Sequence, residues 1–318
     1  MISVGIISGK EVFTTALLAE LNSRSGIKAE WISLGPQSLQ EKCPYHVIID
    51  RLSHCYEFYQ AYLKKAALTG TYVINNPFRF LCDDKFFNYG LAQDLGIPVP
   101  KTVLLPSREY DERVLNHDDL HNLKVVPGHG EEFDWKSVIE VVGLPAIMKP
   151  YDGYGWREVY RIDSIEELVK VYEESMMDVM MLQEFIEFDH YVRCFVVGTE
   201  AVLPTRYSPK TRQYIVDHEH LSPGLGEQIV SSCRTLCRAL SYDMNTVEFA
   251  IRDGVPFAID FMNPVPEAKP DVITPIYFTW LVNHLCNFVE KVAKEGRSTP
   301  YGFSQPAVFS ATPASPVH

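Results

Sequence analysis

The sequence lacks any apolar run approaching the roughly 18 to 20 residues that a membrane-spanning helix needs. It also lacks a surplus of positive charge: 29 Lys and Arg stand against 41 Asp and Glu, for a net charge of -12. That balance argues against a nucleic-acid or anionic-membrane surface and leaves room only for local basic sites. The seven cysteines, at 43, 55, 82, 194, 233, 237 and 286, are odd in number and scattered. A disulfide framework is therefore not expected, and a reducing cytoplasm fits best. Cys233 and Cys237 share a helix face, but no second Cys/His pair follows, which favours core thiols over a metal site. The opening MISVGIISGKEVF has no basic start, long apolar middle or small-residue cleavage site. It reads as a first strand rather than a signal peptide, and the expectation is a soluble protein. SGKE after that strand lacks the glycine spacing of either nucleotide fingerprint, so a plain strand-to-helix turn is expected there. No internal repeat is present.

What the chain does have is bulk: 318 residues, 46% hydrophobic and 22% charged, enough for two or three subdomains around a large core. Residues 1–84 alternate in the manner of an open α/β layer with parallel strands: SVGIIS, FTTALLAELNSR, AEWISL, YHVIID, CYEFYQAYLKKAAL, TYVINN. Residues 85–143 form a helix and a connecting segment. Asp83 or Asp84 caps a helix to about Leu95, Gly96 ends it, and Pro98 and Pro100 keep the next stretch extended. The polar stretch 106–136 reads as connecting structure, and its His117, His121 and His129, lacking tight ligand spacing, as surface residues. A small subdomain over 144–190 contains strands in LPAIMKP, GWREVYRI and VMMLQEFI with a helix in IEELVKVYEES. A second subdomain, 191–296, holds YVRCFVVG, EAVLPTRYSP, a helix over about 227–240, two acid-bearing strands and a last helix over about 277–294. The Pro- and Ser-rich 297–318 reads as a loosely ordered tail. The class expected is mixed α/β and α+β.

The chemistry concentrates in four stretches. MNTVEFAIRDG carries Glu248 inside an apolar strand, and AIDFMNPVPE ends a second strand with Asp260 and Asn263. Asp253-Gly254 between them marks a β-hairpin. A three-residue loop, Arg252 to Gly254, would set Glu248 across from Ala258 and diagonal to Asp260 on one face, whereas a two-residue turn would put the acids on opposite faces. Two close carboxylates repel unless a cation joins them, and hard oxygens suit magnesium with phosphates completing its shell. In LPAIMKPYDGYGWREV, Lys149 ends an apolar strand before a loop with Gly153 and Gly155, parts that suit phosphate. MLQEFIEFDHYVRCFVVG offers a backbone at Glu184 to Ile186 for an adenine edge, Glu187 or Asp189 for ribose hydroxyls, and Arg193 pointing back towards phosphates. LPTRYSPKTRQYIVDHEH presents Arg206, Lys210 and Arg212 with Tyr207 and Tyr214. Arg206 is the expected clamp on a carboxylate or acylphosphate, because a guanidinium engages two oxygens at once.

Taken in order, DDK with GIPVPKT, AIMKPYDGYG, QEFIEFDHYVRCFVVG, VEFAIRDG and AIDFMNP resemble the ATP-grasp superfamily over about residues 72–265, especially glutathione synthetase and the peptide-tailing carboxylate-amine ligases. The resemblance implies an ATP-grasp fold behind an N-terminal Rossmann-like domain. It implies Lys85 and Lys149 as nucleotide-binding lysines, the 151–157 loop with Gly153 and Gly155 over the phosphates, and Gln183, Glu184, Phe185 and Ile186 as the adenine hinge. Glu187 and Asp189 would serve the ribose, Arg193 and Arg206 catalysis, and Glu248, Asp260 and Asn263 magnesium, with manganese as the alternative ion. The activity implied is ATP-dependent ligation of a carboxylate to an amine through an acylphosphate, releasing ADP and phosphate. Its substrates would be small molecules, an amino acid or short peptide, with no nucleic acid or membrane partner; a homodimer stays open. Two alternatives stay open as well, a small-molecule kinase of the same fold and a non-catalytic ATP-binding regulatory or scaffold protein. One feature departs from the family: two residues, not one, separate Asp260 from Asn263. A bulge around Phe261-Met262 is expected to restore their common direction; without one, Asn263 is no ligand or the metal site is altered.

Overall fold

The computed structural model describes residues 1–79, 84–109, 133–153, 155 and 157–301. The expectations for Asp83, for His117, His121 and His129, for the centre of the 151–157 loop at 154 and 156, and for most of the tail lie outside the described residues. The first unit comprises β1 (Ile2–Ile7), α1 (Val12–Ser23), β2 (Ile27–Trp31), β3 (Val47–Asp50), α2 (Glu57–Leu68) and β4 (Tyr72–Ile74). Its strands run parallel in the order β2-β1-β3-β4, as the alternation of strands and helices implies. VIID in β3 is buried at all four positions, the pattern of a strand covered on both faces. Phe13, Leu17 and Leu21 of α1 cover one face with Val4, Ile6 and Ile49, while Leu63, Ala66 and Ala67 of α2 cover the other with Ile48 and Val73.

The second unit comprises α3 (Lys85–Asp94), β5 (Thr102–Leu105), α4 (Trp135–Val142), β6 (Ala146–Pro150), β7 (Tyr160–Ile162), α5 (Ile165–Glu174) and β8 (Met180–Glu184). The Asp84 carboxylate caps α3 by accepting the Phe87 N–H, and Gly96 beyond its end adopts φ +73°. The antiparallel sheet runs β5-β8-β6-β7, so an edge strand comes from within the segment read as connecting. Val142, Leu168 and Tyr172 bury against Met148 and Leu182 to give this sheet a core of its own.

The third unit comprises β9 (His190–Val197), β10 (Ala201–Ser208), β11 (Gln213–Ile215), α6 (Pro223–Leu240), β12 (Met244–Arg252), β13 (Val255–Asp260), α7 (Pro270–Ile273) and α8 (Pro275–Lys294). The antiparallel order is β11-β10-β9-β12-β13. One face packs Val192, Cys194, Val247 and Phe249 under Ile229, Cys233, Leu236 and Cys237 of α6. Both helix thiols are core residues, and burial pushes their pKa values up. The other face carries Phe195, Val197 and Met244 into one core with α8 and with α1 and β1 of the first unit. Polar staples reinforce that junction. The Asn75 carboxamide accepts the Met244 N–H at 2.8 Å and donates to the carbonyls of Met244 at 2.8 Å and Pro264 at 3.0 Å. Arg51, just past β3, donates to the Pro266 carbonyl at 3.1 Å.

Candidate functional site

The hairpin departs from the expected loop. Arg252 pairs with Val255, leaving a two-residue turn, Asp253-Gly254, with φ +52° and +76°. Positive φ at both positions is the turn whose twist matches a β-hairpin. From that turn the ladder pairs Phe249 with Ala258; continued regularly, it would set Glu248 against Ile259 and turn Asp260 to the α6 face beside Ala258. A β-bulge opposite Glu248 and Phe249 absorbs Ile259 instead, and Glu248 lies directly across from Asp260. The acids do share a face, through a bulge at Ile259 rather than through loop length. β13 then ends at Asp260. The chain swings Asn263 back, so that its Nδ2 lies 3.1 Å from the Thr246 carbonyl and 3.4 Å from Asp260 Oδ1. Its N–H donates to Asn245 Oδ1 at 3.0 Å.

Three cations converge on this pair. Lys85 opens α3 and reaches Asp260 Oδ1 at 3.1 Å. Lys149, at the end of β6, is buried with its Nζ 2.9 Å from Tyr89 Oη, 3.0 Å from Gln183 Oε1 and 3.3 Å from the Ile259 carbonyl. The Tyr89 hydroxyl also donates to that carbonyl, so the bulged residue is held from two sides. Thr205, Arg193, Glu248 and Asp260 form one register row across β10, β9, β12 and β13 and therefore share a face. Arg193 pairs with Glu248 Oε1 at 2.5 Å, and Tyr191 donates its hydroxyl to the other oxygen. The Arg193 guanidinium lies 4.1 Å from the centre of the Tyr207 ring, a cation–π contact. Burial raises the Glu248 pKa, the Asp260 charge adds to the rise, and Arg193 opposes it. Burial alone would raise Asp260 too, but Lys85 and Lys149 bring its carboxyl below the usual value. Burial lowers the Lys149 ammonium against the pull of Asp260 and Glu248.

Gln183 acts through its side chain, accepting from Lys149 and donating to Thr102 Oγ1 at 2.9 Å. Glu184 pairs with Arg252 at 3.0 Å. The amides of Glu184 and Phe185 donate to the Lys101 and Pro145 carbonyls; among the described residues, the Ile186 amide alone of the three has no partner. Glu187 is exposed, while Asp189 accepts the Asp253 N–H at 3.3 Å and so belongs to the hairpin turn. A Cβ on Gly153 would stand 3.2 Å from Pro150 Cβ, and Gly155 has φ +65°, so the loop at both positions suits glycine. Arg206 does not join the site. It pairs with Val192, one residue out of step with the Thr205–Arg193 row, and so faces the opposite side of the sheet, where it binds Asp217 at 2.9 Å. Lys210 and Arg212 are exposed between β10 and β11, whereas Tyr207 and Tyr214 are buried beside Arg193. Tyr89 and Tyr191 escaped the sequence reading. Tyr89 was accessible to it, because four residues after Lys85 is the same helix face.

Two facing carboxylates supply hard oxygens of the kind magnesium takes, whereas Asn263 turns its Nδ2 towards Asp260, so its oxygen would have to rotate inward to join them. Among the described residues no three His, Cys, Asp or Glu side chains converge, so ligands from a substrate such as phosphate would have to complete a metal's shell.

No protein-family model matches the chain, and no curated protein matches it significantly. Solved structures do. D-alanine–D-alanine ligase of Bacillus anthracis aligns with 93% of this chain and 99% of its own at a TM-score of 0.62 and 14% identity; the same ligase is also solved complexed with ATP. A RimK domain ATP-grasp protein of Sphaerobacter thermophilus aligns over 91% and 99% at 0.61 and 17% identity. The ATP-grasp ligase PsnB, solved with its precursor peptide and AMPPNP, aligns over 92% and 97% at 0.61 and 15% identity.

Proposed function

We propose that this chain, which has the ATP-grasp fold, is an ATP-dependent ligase that joins a carboxylate to an amine. The observation that carries the reading is the row of Arg193, Glu248 and Asp260 with Lys85 paired to Asp260 and the Lys149 charge beside it, a set of charges that suits phosphates. The substrate carboxylate attacks the γ-phosphorus of ATP, the β–γ bridge breaks, and ADP leaves. The amine nitrogen then attacks the acylphosphate carbon, loses its proton and expels phosphate. Covalent help from the protein is unnecessary; orientation, charge compensation and exclusion of water suffice.

Lys85 and Lys149 offset phosphate charge, the loop at Gly153 and Gly155 covers the phosphates, the Ile186 amide reads the adenine edge, and Glu187 takes the ribose hydroxyls. Arg193 compensates charge on the transferring phosphoryl group. Glu248, Asp260 and the Asn263 carbonyl would hold magnesium, or manganese in its place, which when bound neutralises phosphate charge. The substrates in this reading are an amino acid or short peptide and an amine. A screen of amino acids and short peptides for stimulated ADP release, followed by mass spectrometry, identifies them. Hydroxylamine should trap the acylphosphate as a hydroxamate. Stoichiometric AMP in place of ADP would point to an adenylate and overturn the mechanism.

A further inference from the structure

Both acids are already neutralised by side chains of the chain itself. Glu248 has one oxygen on Arg193 and the other on Tyr191, and Asp260 has Oδ1 on Lys85. The Arg193–Glu248 pair leaves 16% and 5% of its side chains exposed, and the Lys85–Asp260 pair 8% and 32%. Water therefore cannot readily take the place of either cationic partner. A metal ion bridging the two acids would compete with these cations for the carboxylate oxygens, and a displaced cation would stand unpaired in a largely buried site, a costly arrangement. The same two cations are what an arriving triphosphate requires. Arg193 also rests on the Tyr207 ring, a surface along which a guanidinium can swing while staying partly compensated.

We propose that Lys85 and Arg193 are exchangeable counterions: they hold the two carboxylates in the nucleotide-free protein and transfer to phosphoryl oxygens when metal and nucleotide arrive together. Metal alone then binds weakly, and nucleotide and metal strengthen each other by the same factor. This inference rests on the assignment of the site to ATP and a divalent cation.

The two can fail separately. Mn2+ binding to the full chain is titrated by electron paramagnetic resonance, with and without AMPPNP, for wild type, Lys85→Met and Arg193→Met. Thermal melts check that each variant folds. Exchange predicts that the nucleotide-free variants bind Mn2+ at least about tenfold tighter than wild type, while their AMPPNP affinity falls. Arg193→Lys, which keeps the charge, should stay near the wild-type Mn2+ affinity. Should Arg193→Met fail to fold, Lys85→Met decides. Equal or weaker Mn2+ binding by the folded Met variants would overturn the exchange and leave the ATP site intact. Absence of Mn2+ binding to wild type saturated with AMPPNP would overturn the ATP–metal assignment itself.

Discussion

Replacing Lys149 by Met distinguishes a residue retained for binding from one retained for folding. The ammonium is buried with three oxygen partners. Removing an ammonium from water costs several kcal/mol, and hydrogen bonds to a charged group return about 1.5 to 3 kcal/mol each, so the two nearly cancel. Met fills a similar length without the desolvation cost. The Tyr89 hydroxyl keeps its bond to the Ile259 carbonyl, and Gln183 keeps its bond to Thr102. The unfolding free energy should therefore move by no more than about 2 kcal/mol in either direction. ATP affinity should fall by the worth of one charge-assisted contact, again about 1.5 to 3 kcal/mol, or roughly 10- to 150-fold. The pH dependence has a definite sign. Burial holds the Lys149 pKa below the ordinary 10.5, so between the lowered value and 10.5 the unfolded chain binds the extra proton. Wild-type stability thus climbs through that window as the penalty for a buried charge disappears, and the variant lacks the climb. Urea unfolding at several pH values and calorimetric titration with ATP measure both. A loss of more than about 3 kcal/mol of stability with ATP affinity unchanged would make Lys149 a strut and refute the reasoning.

Asp243, half-buried and hydrogen-bonded to Tyr72 at 2.9 Å, has its pKa pushed by desolvation up to about 7, with Tyr72 and Arg297 opposing. Between the ordinary 3.8 and about 7 the folded chain keeps a proton the unfolded chain has lost, so this group subtracts stability as pH rises through that window. Asp243→Asn should gain over wild type at pH 8 and gain little at pH 4 in thermal melts, and a pH-independent difference would contradict this. Arg206→Ala removes an exposed ion pair on the far side of the sheet, so turnover at saturating ATP should stay within about threefold of wild type. A loss beyond about tenfold would return Arg206 to the site.

Most strands and helices were legible because their hydrophobic periods are local, but β5 and α4 lie in the stretch read as connecting and were missed. β11 was not legible either, since three residues with only Tyr214 buried carry no usable period. The shared face of Glu248 and Asp260 was read correctly through the wrong device. Loop length is visible in Asp253-Gly254, but the bulge at Ile259 depends on Tyr89 and Lys149, which hold its carbonyl from other elements. Arg206 was misplaced for a related reason. A shift of one residue changes its face, and that parity is fixed by pairing with β9, which the sequence of β10 does not contain.

The core shared by the first and third units bears on what can be recombined in this chain. Residues of β1 and α1 pack in one cluster with β9, β12 and α8, and Asn75 and Arg51 fasten the 264–266 stretch just beyond Asn263. A chain begun at residue 85 would bare that apolar surface and release the segment leading away from the acids. The middle sheet, by contrast, encloses its own core between Leu105 and Leu182. It is therefore the more separable part, provided that Lys149 and Met181, which meet the third unit, are kept, whereas the first unit changes in step with β9, β12 and α8.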